Sequence, residues 1–161
     1  MFNFKAEFYL KIIFLFSFIA LISAFFIEYI LGHQPCNLCL IERIPYGLSI
    51  MIIMAIFLIR KNQKFLVMLL ILTFIFSFAI SFYHFGIEQG FFQESSVCGV
   101  KSSTEIVTKE DLLKQLSEKT ISCKDVTFRI FGLSLTSINI VISLLFIITL
   151  LKIFKKYEKN K

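Results

Sequence analysis

Four cysteines carry the most reactive chemistry in this chain. Cys36 and Cys39 are separated by two residues, whereas Cys98 and Cys123 stand far apart. A two-residue gap closes a tight ring that is easily reopened, so Cys-x-x-Cys recurs in thiol–disulfide exchangers more than in structural staples. The other two cysteines would close a loop of about 25 residues, worth roughly 3 kcal/mol of unfolded-chain entropy, so a plain staple is also physical there. An even count permits two disulfides in three connectivities, and proximity favours Cys36 with Cys39. Zinc is the rival use of Cys-x-x-Cys, but a four-cysteine site needs a second close pair. A reactive cysteine also needs a stabilised thiolate. Pro35 and the tight pair directly precede a candidate helix, whose first amides favour an anion, and Arg43 follows Cys39 by one helical turn on the same face. The plainer reading of Arg43 is a membrane-edge residue paired with Glu42.

The frame that holds these residues is built for lipid. The chain has 161 residues, of which 57% are hydrophobic and 17% charged, with 21 Phe against six Gly and two Pro. Its mean hydropathy is +0.81. Such values exclude an ordinary soluble domain, a disordered chain and a collagen-like one. Charge-free runs cover 12–27, 44–59, 65–87 and 130–151. A hydrocarbon core of about 30 Å takes about 20 helical residues, so we expect an all-α membrane protein, a four-helix transmembrane bundle of one domain. The expected spans are 10–31, 40–59, 65–87 and 130–151, with outer loops 32–39 and 88–129. Lys5 and Lys11 before an apolar run also resemble the opening of a signal peptide, with Ser23-Ala24 a weak cleavage site; the run is long for that, and an uncleaved anchor is expected.

Charge sets the orientation. The N-terminal segment, the Arg60–Lys64 turn and the tail from Lys152 hold ten basic and two acidic residues, while the other segments hold seven basic and nine acidic. By the positive-inside rule both termini and the middle turn face the cytoplasm, and all four cysteines face outward. The overall +6 therefore reports topology rather than nucleic-acid binding. His84 lies about 29 Å along the third span from Phe65, level with Cys39 and Arg43. A thiol pair, a fixed cation and an imidazole thus meet at the outer rim, where a small membrane-soluble oxidant fits; the plainer reading of His84 is an interfacial anchor. In the outer loop, Thr108 and Asp111 have capping-box spacing and Leu112, Leu113 and Leu116 form a stripe, predicting a short amphipathic helix over Lys109–Lys119.

Pro35-Cys36-Asn37-Leu38-Cys39-Leu40-Ile41-Glu42-Arg43, then Tyr83-His84-Phe85-Gly86-Ile87-Glu88, then Cys98 and Cys123, then Phe131-Gly132-Leu133-Ser134-Leu135 together resemble the bacterial DsbB/DsbI disulfide-bond formation family. The match is collinear over nearly the whole chain. It departs in lacking Trp, with Phe128 and Ile138 where the family often carries one. The resemblance implies an inner-membrane enzyme that reoxidises a periplasmic, DsbA-like thioredoxin-fold dithiol protein and passes the electrons to a quinone, ubiquinone or menaquinone, without a metal. On that resemblance Cys98 takes the partner's thiolate, Cys123 is its mate, Cys36 and Cys39 reoxidise them, and Cys39, nearest the ring, is the thiolate facing the quinone, with Arg43 at the quinone oxygens and His84 a second candidate there. Two rivals make different predictions. A vitamin K epoxide reductase type enzyme also has four helices and two cysteine pairs, but there the tight pair follows the loop pair. A non-catalytic four-span scaffold with a stapled loop predicts one disulfide state that no reductant partner alters.

Overall fold

A computed structural model describes residues 4–59, 62–94, 98, 122–124, 129–130 and 133–159. Four helices account for most of them: α1 (Phe4–Tyr29), α2 (Asn37–Leu58), α3 (Gln63–Glu88) and α4 (Leu135–Lys159). Each is long and apolar enough to cross a bilayer. α3 is central, packing along α4 and α2, while α1 lies against α2 and touches α4 only lightly. Phe18, Ile22, Met51, Phe76 and Leu145 are among the large side chains left exposed on the outside. In water that surface would be a liability, whereas acyl chains suit it. The amphipathic helix expected at Lys109–Lys119 lies outside the described residues.

At one end of the bundle the core is purely apolar, with Leu10, Ile53, Ile56, Leu70, Phe74 and Leu150 buried together. Phe74 and Phe16 each set an edge against the Phe146 ring, at centroid distances of 5.0 and 5.4 Å. Toward the middle, small hydroxyl residues let the helices approach. Ser49 meets Ser17 at 2.9 Å, and Ser77 meets Ser143 at 3.1 Å.

The other end gathers the C-terminus of α3 and the N-termini of α2 and α4. The second span, short by charge counting, gains a turn because α2 starts at Asn37, directly after Cys36. The fourth helix starts at Leu135 rather than at 130, because Arg129–Ile130 (β1) pairs antiparallel with Leu133–Ser134 (β2). Ser134 then caps α4, its hydroxyl accepting the Ser137 amide at 3.2 Å. Gly90 terminates α3 with φ +78°, which lets the Phe91 and Phe92 amides turn back onto the Gly86 carbonyl. The same glycine 86 has no Cβ to collide with the Phe92 ring.

Candidate functional site

Cys36 is the N-cap of α2. Its backbone is extended (φ −73°, ψ 166°), and its sulfur takes the place of a capping oxygen, accepting the Cys39 amide at 3.3 Å. The two thiols face each other with Sγ atoms 2.8 Å apart. Behind Cys36 stands His84 of α3, its Nε2 3.6 Å from the sulfur. The Cys39 thiol, then the His84 ring and the Cys39 amide, draw the Cys36 thiol down to about 4 against the opposing push of burial. A helix cap, a neighbouring thiol and an imidazole thus make Cys36 the sulfur that holds negative charge.

His84 is only 2% exposed, and a chain of polar groups holds it. Its Nδ1 lies 2.9 Å from Glu42 Oε1; an ionised carboxylate only accepts, so the ring nitrogen donates. The other Glu42 oxygen accepts Asn139 Nδ2 at 3.3 Å, and the same amide donates to Ser81 at 2.7 Å. Tyr46 donates its hydroxyl hydrogen to Asn139 Oδ1. Thr136, at the start of α4, lies 3.3 Å from His84 Nδ1 and donates to Glu88 Oε1 at 2.7 Å. Three helices therefore close around one imidazole.

Arg43 points the other way. Its guanidinium pairs with Glu28 near the end of α1 and stacks over the Phe25 ring, 5.5 Å from the centroid. It borders a cavity of about 260 Å³ between α1, α2 and α4, to which Cys39, Glu42 and Tyr46 also contribute. Phe16, Leu21, Ile27 and Ile142 supply much of the apolar wall. This volume lies just under the roughly 300–1,000 Å³ common for small-molecule sites, and polar groups clustered along an apolar slot suit a flat amphiphilic ring. A metal suits the geometry less well. Cys36, Cys39 and His84 offer three ligand atoms within 4.8 Å, but two thiolates on tetrahedral zinc stand about 3.8 Å apart, wider than the 2.8 Å here.

The second pair joins the first. Cys98 and Cys123 are buried in one cluster with Cys36, Leu38 and Ile87, and Cys39, Ile41 and Tyr83 pack against it. Burial, the Cys98 side chain and the charge on Cys36 all push the Cys123 thiol up. Two cysteine pairs far apart in sequence thus meet at one end of the bundle. The profile of the family described as disulfide bond formation protein DsbB matches residues 6–153.

The chain belongs to the DsbB family. It is also 32% identical, over 147 residues, to "Uncharacterized protein RP370" of Rickettsia prowazekii strain Madrid E, an alignment covering 90% of this chain and 86% of that protein. Within this DsbB-family chain the expected residues separate into two layers. Cys39 and Arg43 face the cavity, whereas His84 sits behind Cys36, away from the cavity lining. Arg43 pairs with Glu28 rather than with Glu42, which instead holds His84. Glu28, Asn139, Glu88 and Thr136 escaped sequence reasoning as site residues. Glu28 did leave a signal, an acid interrupting the first apolar stretch, and Asn139 left a weaker one as an amide inside a span.

Proposed function

We propose that this chain is a membrane thiol:quinone oxidoreductase. In this reading it resides in the bacterial inner membrane with both termini cytoplasmic and both cysteine pairs periplasmic. It reoxidises a DsbA-like thioredoxin-fold dithiol protein by disulfide exchange. One observation carries the reading: Cys36, Cys98 and Cys123 lie in one buried cluster, and Cys39, packed against it, also borders a cavity with Arg43. A staple alone needs no second pair beside it and no cavity.

The cysteine roles are those the family resemblance implies. Cys98 accepts the partner's thiolate in a mixed disulfide while Cys123 leaves as a thiolate; the partner's second thiol then attacks that mixed disulfide, so the partner departs oxidised and Cys98 and Cys123 remain reduced. The Cys36–Cys39 disulfide then takes up the electrons left on that loop pair by exchange across the cluster. Cys36, the sulfur stabilised as an anion, is the better leaving group when this disulfide is attacked. A quinone bound in the cavity supplies the two-electron sink, one more positive than a strongly oxidising dithiol partner. Arg43 places a guanidinium where oxygen gains charge, in a setting of low dielectric that strengthens the contact. Glu28 and Phe25 fix that guanidinium, so little reorganisation remains when the ligand enters.

The test mixes purified protein with a reduced thioredoxin-fold oxidase and a soluble quinone and follows quinone absorbance. Turnover is expected, and it is lost in Cys36→Ser and in Cys98→Ser alike. Turnover that survives either substitution contradicts a two-pair relay.

A further inference from the structure

Disulfide formation moves protons as well as electrons. When the Cys36 thiolate and the Cys39 thiol join, an S–S bond forms, the Cys39 S–H bond breaks and two electrons leave; the two protons needed to turn a quinone into a hydroquinone are the one released by Cys39 and the one Cys36 has already given up. The two sulfurs are not equivalent toward the cavity. Cys39 borders it and Cys36 does not. The proton that Cys36 has given up therefore needs another way to the cavity, and the ring beside the sulfur is that of His84.

We propose that His84 and Glu42 form that way, with Glu42 delivering the proton to the acceptor in the cavity. The inference rests on the quinone reading above and adds residues to it. The geometry is continuous: Cys36 Sγ to His84 Nε2 is 3.6 Å, and His84 Nδ1 to Glu42 Oε1 is 2.9 Å. Imidazole suits the middle position because it takes a proton on one nitrogen and releases one from the other. Among the described residues Glu42 and Thr136 both touch His84 and border the cavity, but the Thr136 hydroxyl hydrogen is committed to Glu88, and Glu42 is the carboxylate of the two, the group able to take up a proton and release it. Its second oxygen is steadied by Asn139, which in turn is held by Ser81 and Tyr46. The remaining groups around the ring are Glu88, one turn further along α3 with Oε1 3.9 Å from Nε2, and Thr136 from α4. Glu88 Oε1 is engaged by Thr136, and Glu88 is buried away from the cavity lining, so it does not compete as the exit.

Two readouts test this. The first uses reduced protein without quinone and measures Cys36 alkylation against pH. Glu42→Gln removes the carboxylate that holds the His84 ring beside Cys36, and His84→Gln removes the ring itself. Each should lower the alkylation rate at pH 6 about tenfold, and the double variant should fall no further than His84→Gln, because Glu42 acts through the ring. The second readout starts from the Cys36–Cys39 dithiol and follows a single turnover with soluble quinone. Glu42→Gln should slow it about 100-fold, Glu42→Asp should recover most of the rate, and the double variant should be no slower than the slower single one. Quinone reduction by Glu42→Gln at the wild-type rate, or losses that multiply in the double variant, would overturn the relay. Should Glu42→Gln not fold, Glu42→Asp and His84→Gln decide, an unchanged alkylation profile in His84→Gln being contrary. Wild-type protein that reduces no quinone sinks the functional reading and the relay together, whereas a normal wild type with an indifferent Glu42→Gln sinks the relay alone.

Discussion

At the scale of single residues, the tight pair is asymmetric, and reactivity should show it. The Cys36 thiol is drawn down to about 4 by the Cys39 thiol, His84 and the Cys39 amide, so it stays ionised throughout the neutral range and takes up a proton only as the pH falls toward 4. In reduced protein, Cys36 should alkylate at nearly the same rate at pH 6 and pH 8, whereas an ordinary thiol gains about two orders of magnitude over that interval. Mass spectrometry of the alkylated peptide reads this directly, and a rise like that of a free thiol would remove the N-cap thiolate. Cys123, pushed upward by burial, should lag behind an ordinary thiol at pH 8 in the same experiment. Arg43→Ala should raise the quinone KM by about tenfold or more while the KM for the dithiol partner changes little, since Arg43 borders the cavity and not the sulfur cluster. Equal rises in both KM values would place Arg43 in the fold rather than at the ligand. The cysteines and Arg43 were legible in the sequence because short spacing along one helix fixes their neighbours. Glu28 as the partner of Arg43, and Asn139 as the support of Glu42, were not, because both contacts cross between helices whose rotation about their own axes no local pattern specifies.

Among the helices, the contact between α3 and α4 sets the distance from His84 to Thr136. Ser77 and Ser143 are both fully buried at that crossing, 3.1 Å apart. Ser143→Leu should therefore push the helices apart and cost about 1–3 kcal/mol, seen as a lower unfolding midpoint in detergent. A variant as stable as wild type would mean that the crossing is looser than its hydroxyl contact indicates. Where the helices lie was legible from charge-free runs, since lipid admits few unpaired charges. Their ends were less so. α2 begins earlier than hydropathy suggests because a cysteine, not an apolar residue, caps it. α4 begins later because Ser134 and the β1–β2 pairing claim the residues before it.

For the whole molecule, the bundle separates two tasks by depth. One end is closed by aliphatic and aromatic packing, and the other gathers four sulfurs, an imidazole, an arginine and a cavity. Membrane-impermeant thiol reagents applied to right-side-out vesicles after reduction should reach cysteines at one face only, and a lysine reagent applied to inverted vesicles should mark the Arg60–Lys64 turn. Cysteine labelling from the inverted side would contradict the orientation. The relay itself is tested most directly by counting free thiols at each cysteine. Oxidised protein is first mixed anaerobically with a reduced thioredoxin-fold dithiol partner, and a soluble quinone is then added. Cys98 and Cys123 should become free on adding the partner, electrons should then reach Cys36 and Cys39, and quinone should restore both disulfides. Cysteines whose state changes with neither addition would contradict the relay and leave a stapled membrane scaffold.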